Sequence, residues 1–449
     1  MSSARNACDP LLRRFERYSL APGRMQELFP AREFSGPLLW WGQSLCCGGL
    51  ERQLVTMGEF FAKKSIPPVL ACANLSKEKG NAFFLPQARK CFKAIHDLSG
   101  FTSAEKEHVD NARRMMEFFR DAPPRFLNST LKYLIFFLQF RPCLVQIWNA
   151  DFLHVPMAAA LAGVPHVIIA GRSVSPRAGL AWNLERVNDV FARGVLTFLL
   201  RFPSVIMTNN CRAGAGDYAD WLGIDPGRIC ITPNAFVDAN PGMADIGTVR
   251  TFRESLGIPE TAFVVGGLFR LEKTKDPLLW IKTAELVLQG NPDAYAVLGG
   301  DGPMRPELND MVRDSPVGNR LALPGLIRDT RTFYKACACL LLTSHIEGLP
   351  NVALEAQYNG LPVVSTLAGG VEEAVAHGET GFIVAGRSPA ALAERIFHIS
   401  RHPDWAQAAA KKGPARVISH FSLERAGNIL LRLYRHLPAV VRTCGDVFL

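Results

Sequence analysis

Short apolar runs bounded by polar residues alternate with amphipathic stretches along most of this chain. Each run is typical of a strand buried on both faces of a parallel sheet. In the first half they lie at 37–42, 68–72, 144–148, 166–170, 204–208 and 230–234, and in the second half at 262–267, 294–299, 320–323, 336–343 and 361–366. Helical segments are predicted at 50–64, 103–120 and 422–435. This alternation predicts an α/β protein, and 449 residues are enough for two domains.

The segment His345–Pro362 carries the strongest chemical signal. The run 336–343 leads into a Gly-Leu-Pro-Asn turn, a helix that starts near Val352, and a second strand. In such a βαβ unit the turn lies at the carboxyl edge of the sheet, where free N–H groups of the helix favour an anion. Glu347 and Glu355 flank the turn, and carboxylates accept hydrogen bonds from sugar hydroxyls. The turn is therefore predicted to bind a sugar phosphate; alternatively, Glu347 is solvated and Glu355 caps its own helix.

A second loop at the same predicted edge carries two cations. Arg270 and Lys275 follow the strand at 262–267, and Asp276-Pro277 has the sequence of a helix start. Arginine binds phosphate oxygens in bidentate fashion, and lysine adds a point charge. The alternative is a pair of solvated surface cations.

The sequence E-G-L-P-N-x-x-L-E-A at 347–356 resembles the donor-site motif of the family 4 (group 1) retaining glycosyltransferases. The resemblance implies the GT-B fold, in which two Rossmann-like domains face each other across a cleft. It divides the chain into an N-terminal extension (1–36), an acceptor-side domain (37–238), a nucleotide-sugar-binding domain (239–420) and a C-terminal helix that crosses back (421–449).

The resemblance also implies roles for individual residues. The spacing R-x-x-x-x-K matches the family's diphosphate clamp, so the implied catalytic residues are Arg270, Lys275 and Glu347. A Gly-Gly loop would face the donor diphosphate, the segment 326–328 the nucleobase, and Glu355 the ribose. The implied donor-binding residues are Gly48, Gly49, Leu326, Ile327, Arg328, Gly348, Leu349, Pro350, Asn351, Val352 and Glu355. The turn at Gly369-Gly370 is similar to the family's G-G-x-P-E, with Glu372 where proline is common.

The chain departs from the family after the strand at 166–170. Many members carry a histidine near this point, whereas this chain has Arg172. Arg172, Asp151 and His154 are candidate acceptor or phosphate contacts, although a packed helical role is the main alternative for His154. No D-x-D triplet occurs in the sequence, so we expect no metal and no cofactor beyond the nucleotide sugar itself.

Composition and charge limit the classes of partner that the protein is expected to bind. Residues 1–200 contain 25 Lys+Arg and 16 Asp+Glu, whereas residues 201–449 contain 25 of each, so the net charge of +9 lies in the first half. A basic half suits an anionic membrane surface or an ordinary solvated face; nucleic-acid motifs are lacking. The apolar stretch Lys132–Phe140 is either a buried helix, which we favour, or a membrane-facing one. Eleven cysteines without C-x-x-C spacing, no signal core and no long apolar run predict a cytoplasmic protein. The basic first half and the family resemblance predict a peripheral position on the inner face of the cell membrane.

The resemblance implies a hexosyl- or N-acetylhexosaminyltransferase. The donor is expected to be a nucleotide-diphosphate sugar, with UDP as the nucleotide, and the acceptor a glycan or lipid-linked glycan in polysaccharide or glycoconjugate biosynthesis. Two alternatives stay open: a nucleotide-sugar epimerase or phosphorylase of the same fold, and a non-catalytic protein that binds sugar nucleotides.

Overall fold

The structure is a computed structural model that describes residues 35–78, 80–102, 123–177, 189–238 and 246–437. The described residues pack into two compact units. The first contains the chain up to Ala235 and from Ala426 onward, and the second contains Phe236–Arg425. Each unit has its own hydrophobic core, as expected of separate domains.

The first unit is built on a seven-stranded parallel sheet in the order β3-β2-β1-β4-β5-β6-β7. The strands are β1 Gly36–Gly42, β2 Val69–Cys72, β3 Ala94–Asp97, β4 Pro142–Ile147, β5 His166–Gly171, β6 Val205–Asn209 and β7 Ile229–Ile231. The described helices are α1 Gly49–Lys63, α2 Leu85–Cys91, α3 Pro124–Phe140, α4 His154–Ala162, α5 Asp189–Leu199 and α6 Arg212–Leu222. The predicted helix at 103–120 lies outside the described residues.

The second unit has a six-stranded parallel sheet in the order β10-β9-β8-β11-β12-β13. The strands are β8 Phe263–Leu268, β9 Ala294–Gly299, β10 Leu321–Gly325, β11 Cys339–Leu342, β12 Val363–Thr366 and β13 Gly381–Val384. The helices are α7 Ile246–Ser255, α8 Pro277–Gly290, α9 Arg305–Asp314, α10 Thr330–Ala336, α11 Asn351–Tyr358, α12 Val371–Ala374, α13 Pro389–Arg401, α14 Pro403–Phe421 and α15 Leu423–Arg435, of which α15 continues into the first unit.

Both sheets have the strand order of a doubly wound Rossmann fold, so the prediction of two Rossmann-like domains is confirmed. The order reverses between β1 and β4 in the first unit and between β8 and β11 in the second. Ligands of open α/β sheets bind outside the carboxyl ends of strands at such a reversal. The relevant loops in the second unit are therefore those that follow β8 and β11.

One strand prediction started too early. The apolar run at 336–343 was predicted as a single strand, but Ala336 is the last residue of α10 and β11 begins at Cys339. The helix is fixed by Asp329, whose carboxylate accepts a hydrogen bond from the backbone N–H of Thr332 at 3.1 Å. The first residue of the apolar run therefore belongs to the capped helix α10, although the hydrophobicity of the run alone indicates a strand.

The apolar stretch Lys132–Phe140 forms the last part of α3 and packs into the core of the first unit. Leu134 and Phe137 are fully buried, and Trp41 packs edge-on against Tyr133 at a ring distance of 5.7 Å. The prediction of a buried helix is confirmed. Within the described ranges, no helix is both long and apolar enough to span a membrane.

Candidate active site

The loop between β8 and α8 carries the two predicted cations. It makes a short 3-10 turn at Lys273–Lys275, and Asp276 then adopts a left-handed conformation with φ of 46°. The Asp276 carboxylate accepts a hydrogen bond from the backbone N–H of Leu279 at 3.1 Å, and Pro277 is the first helical residue, as predicted. This cap fixes the position of Lys275, the residue directly before it.

Lys275 meets Glu347 across the strand reversal. The Nζ of Lys275 donates a hydrogen bond to Oε1 of Glu347 at 2.7 Å, and the Ser344 hydroxyl donates to the same oxygen at 2.6 Å. Only 23% of the Lys275 side chain and 11% of the Glu347 side chain are exposed. The structure therefore brings together two of the three predicted catalytic residues as a hydrogen-bonded ion pair.

Arg270 has a different environment on the same loop. Its side chain is 71% exposed and forms an ion pair with Glu272 at 3.3 Å, a contact that contributes little to stability at such exposure. An exposed guanidinium can change rotamer at small cost. Arg270 is therefore available to an incoming anion, whereas Lys275 is held in place.

A polar network beneath Lys275 joins the two loops, and sequence reasoning did not find its members. Arg387, on the loop after β13, donates to the Asp276 carboxylate at 2.6 Å and to the Ser344 carbonyl at 3.0 Å. The Thr343 hydroxyl donates to the carbonyls of Lys275 and Asp276 at 3.0 and 2.9 Å. These contacts tie the segment before α8 to the carboxyl end of β11, and they account for the fixed position of the Lys275–Glu347 pair.

His345 belongs to the same network. Its Nε2 lies 3.2 Å from the Asp276 carboxylate, and its backbone N–H donates to the Thr274 carbonyl at 2.8 Å. Burial lowers the pKa of His345 and the Arg387 guanidinium lowers it further, while Asp276 opposes both effects. A lowered pKa favours the neutral imidazole at neutral pH.

The helix α11 starts at Asn351, directly after the Gly-Leu-Pro segment, so its first N–H groups lie at the carboxyl edge of the sheet. Gly348, Leu349 and Pro350 are buried, whereas Val352 is half-buried. Oε2 of Glu355 accepts a hydrogen bond from the Tyr334 hydroxyl at 2.9 Å. Tyr334, on α10, was not identified from the sequence.

The Gly-Gly turn at 369–370 packs directly on the loop that carries Glu347. Gly369 has a φ of 51°, and a Cβ atom at that position would lie 1.9 Å from the Glu347 carbonyl oxygen. The backbone N–H of Gly370 donates to the Gly348 carbonyl at 2.9 Å. A side chain at Gly369 would therefore displace the Glu347 loop, which explains the need for glycine.

The segment predicted to meet the nucleobase follows β10. Leu326 is 73% exposed, Arg328 is exposed, and Ile327 is half-buried beside Gly299. The N–H of Gly300 donates to the Gly325 carbonyl at 2.8 Å, so the loops after β9 and β10 lie side by side. An exposed apolar side chain at a sheet edge offers a surface on which a planar group can pack.

The remaining predicted residues lie in the first unit. Helix α1 begins at Gly49, and Gly48 has an extended backbone with φ of −138°. A Cβ atom on Gly48 would lie 2.3 Å from Oε2 of Glu51, whose pKa is raised by burial. At the Gly-Gly loop the backbone of Gly48 therefore lies close to the Glu51 carboxylate, and the helix α1 begins there.

Asp151 lies between β4 and α4, and His154 is the first residue of α4. The His154 ring packs 5.4 Å from the ring of Tyr133 and 6.0 Å from that of Phe152, and burial lowers its pKa to about 4. This is the packed helical histidine that was the alternative to a contact with the acceptor. Asp151 is exposed, and its backbone N–H donates to the Asn149 side chain at 2.9 Å.

Within the part of the chain that the structure describes, no group of three His, Cys, Asp or Glu side chains is placed to hold a metal ion. The cations and carboxylates named above follow β8 and β11, the two strands at the reversal of the second sheet. These residues can neutralise an anion and accept hydrogen bonds from hydroxyls.

Comparison with known proteins shows what this chain is similar to. Residues 248–416 match the family described as glycosyl transferases group 1. The Vi polysaccharide biosynthesis protein VipC/TviE of Salmonella typhi is 26% identical over 376 residues, which cover 80% of this chain and 64% of that protein. A D-inositol 3-phosphate glycosyltransferase of Corynebacterium urealyticum is 29% identical over 246 residues, which cover 52% of this chain and 57% of that one. The chain thus matches less than two thirds of the length of these curated relatives.

Solved structures share the fold. HepE from Anabaena, crystallised with UDP and glucose, superposes with a TM-score of 0.71 at 19% identity, covering 89% of this chain and 99% of that one. Sucrose-phosphate synthase from Thermosynechococcus elongatus superposes with a TM-score of 0.67 at 17% identity, covering 90% and 99%. Residues 248–416, within the second unit, are thus similar to the group 1 glycosyltransferases, and the fold of the chain is that of the GT-B glycosyltransferases.

Proposed function

We propose that the protein transfers a sugar from a UDP-sugar to a glycan or lipid-linked acceptor, with retention of anomeric configuration. The observation that carries the proposal is the ion pair between Lys275 and Glu347, built at the strand reversal of the second unit. The group 1 family match and the relative named for Vi polysaccharide biosynthesis support it, as does the structural neighbour that was crystallised with UDP and glucose.

In this proposal the second unit stabilises the leaving group. The bond between the anomeric carbon and the diphosphate oxygen breaks, and negative charge develops on the departing UDP. Lys275 and Arg270 neutralise that charge, aided by the N–H groups at the start of α11. Because Lys275 is already held by Glu347, its charge is oriented before the donor arrives, which lowers the reorganisation that the reaction requires.

The two carboxylates orient the donor. Glu347 accepts hydrogen bonds from sugar hydroxyls while it retains its contact with Lys275, and Glu355 accepts from the ribose hydroxyls. A carboxylate can accept several hydrogen bonds, so the contacts from Ser344 and Tyr334 are compatible with ligand binding. The acceptor hydroxyl then attacks the face that the diphosphate leaves, and its proton passes to the leaving phosphate oxygen.

The test is a donor screen with the full-length protein and no metal added. Each of several UDP- and other nucleotide-sugars is incubated with a glycan or polyprenyl-linked acceptor, and the release of nucleoside diphosphate is measured. Transfer to the acceptor, with the anomer of the product assigned by NMR, supports the proposal. The proposal would be wrong if the protein isomerised the nucleotide sugar, catalysed phosphorolysis, or bound the sugar nucleotide without turnover. These outcomes would indicate an epimerase, a phosphorylase or a non-catalytic binding protein, respectively.

A further inference from the structure

Arg172 lies at the carboxyl edge of the sheet of the first unit, one residue after β5. Its Nη2 donates a hydrogen bond to the Asn234 side chain at 2.8 Å, and its guanidinium stacks on the Trp148 ring at 5.1 Å. The amide of Asn210 donates to the Arg172 carbonyl at 3.3 Å and so fixes the backbone. Arg172 is thus held by an aromatic face and an uncharged amide while it remains half-buried.

The partners of the Arg172 guanidinium in the described part of the chain are uncharged. Among the described residues no Asp or Glu oxygen lies within ion-pair distance of its guanidinium, whereas the nearby Arg177 pairs with Asp217 at 3.2 Å. Burial lowers the pKa of Arg172 to about 10, so the guanidinium stays charged at neutral pH. A desolvated cation is costly unless an anion compensates it, which indicates that this position is completed by a ligand.

Neighbouring groups at the same edge are donors as well. The Trp148 indole N–H is buried and has no hydrogen-bond partner in the described part of the chain, and the same holds for the Ser175 hydroxyl. A guanidinium offers five N–H donors in a planar fork that matches a phosphate or carboxylate. Arg172 uses Nη2 for its contact with Asn234, so the rest of its fork can donate to an anion.

We propose that Arg172 binds a phosphate or carboxylate group of the acceptor, and that the enzyme therefore selects an anionic acceptor. This inference rests on the proposed glycosyl transfer and assigns a substrate class to the acceptor side. The same chemistry could come from the diphosphate of the donor, so the experiment has to separate the two sources.

The experiment measures binding of inorganic phosphate to the full-length protein by isothermal titration and by the rise of its unfolding temperature. We expect Arg172→Met to weaken phosphate binding by a factor on the order of ten or more, because a charge-assisted hydrogen bond is lost. Arg172→Lys keeps the positive charge but not the forked guanidinium, so we expect it to weaken phosphate binding less than Arg172→Met does. The control is Arg177→Met, which removes a neighbouring arginine that is 51% exposed and already paired.

Saturating UDP separates the two sources of the anion. If phosphate still binds to the UDP complex, and that binding is weakened in Arg172→Met but not in Arg177→Met, the site belongs to the acceptor side. If UDP abolishes the phosphate binding that depends on Arg172, the guanidinium serves the donor diphosphate and the inference is overturned. Equal phosphate binding by wild type and both Arg172 variants also overturns it. Circular dichroism checks that each variant is folded.

Donor hydrolysis distinguishes failure of this inference from failure of the proposed function. Wild-type protein that releases UDP from a UDP-sugar supports the proposed function, whatever the phosphate titration gives. Protein that binds phosphate through Arg172 in the UDP complex but turns over no donor retains the anion site and loses the transferase assignment.

Discussion

The Nζ of Lys275 and Oε1 of Glu347 lie 2.7 Å apart, although 72 residues separate them in sequence. Lys275 follows β8 and Glu347 follows β11, and these strands are neighbours only because the sheet reverses its order between them. The pair is more than three-quarters buried on each side. Removal of one partner leaves the other charge with less compensation, so effects on folding and on catalysis have to be measured separately.

Lys275→Ala is expected to lower turnover by a factor on the order of a hundred or more, the scale for the loss of one preorganised charge contact. The reason is that Lys275 is the held cation on the loop proposed to meet the diphosphate. The measurement is the release of nucleoside diphosphate at saturating donor. Lys273→Ala is the matched control, since Lys273 is exposed on the same short turn.

Thermal unfolding of both lysine variants separates the two roles of Lys275. A variant that stays folded at the assay temperature and loses turnover supports a catalytic role. Turnover near the wild-type value in folded Lys275→Ala would remove Lys275 from the proposed leaving-group site.

Tyr334→Phe tests the support of Glu355. The Tyr334 hydroxyl is the donor that holds Glu355 at 2.9 Å, and Tyr334 is 1% exposed. We expect the KM for the donor to rise about two- to tenfold, the scale of one neutral-to-charged hydrogen bond, with a smaller change in kcat. Tyr358→Phe is the control, since Tyr358 lies on the same helix as Glu355 and its hydroxyl donates to Asp238 instead. An unchanged donor KM in Tyr334→Phe would separate Glu355 from donor binding.

Most of the architecture could be predicted from the sequence because buried parallel strands leave a strong local signal. The run at 294–299 corresponds residue for residue to β9, and Asp276-Pro277 marks the start of α8 as its chemistry requires. The error at Ala336 arose where a helix end and a strand start share one apolar run. Hydrophobicity does not distinguish the helix end from the strand start, whereas the Asp329 cap identifies the helix.

The long-range polar contacts could not be predicted in the same way. Arg387 lies 111 residues from Asp276, and its segment matches no motif, yet it joins the loops on either side of the strand reversal. Such pairs depend on tertiary structure, and a single sequence carries no local signal for them. The motif residues were placed correctly at the sheet edge, but the side chains that hold them there became visible only in the structure.

The half-buried His154 should make stability depend on pH. Its pKa is about 4 in the folded protein and about 6.5 in the unfolded chain, so the unfolded state binds the proton first as pH falls. The contribution is fully present above about pH 6.5 and is lost progressively toward pH 4, by at most about 3 kcal/mol. His154→Phe should flatten this part of the pH profile of unfolding free energy. Parallel profiles for His154→Phe and wild type would contradict the prediction.

Activity is expected to persist in an excess of chelator. The proposed leaving-group stabilisation uses Lys275, Arg270 and the N–H groups of α11, so a bridging cation has no assigned role. Turnover should be compared with EDTA, with added magnesium and with added manganese. Complete loss in EDTA that either metal restores would contradict this mechanism.

Peripheral binding to anionic membranes is the last prediction. The surplus of nine positive charges within residues 1–200 provides an attraction for anionic lipid of about 1 kcal/mol for each basic side chain that reaches the surface. We expect co-sedimentation with vesicles that contain phosphatidylserine, and none with vesicles of phosphatidylcholine alone.

Salt should reverse the binding completely. The Debye length falls to about 3 Å at 1 M salt, so an electrostatic attachment is lost. The apolar stretch 132–140 could have added a salt-resistant component, but its large side chains Leu134 and Phe137 are fully buried in the core. Binding that survives 1 M salt would therefore point to an apolar surface elsewhere in the chain. A protein that ignores phosphatidylserine vesicles at low salt would use its basic half for something else, and a soluble acceptor would then replace the lipid-linked one.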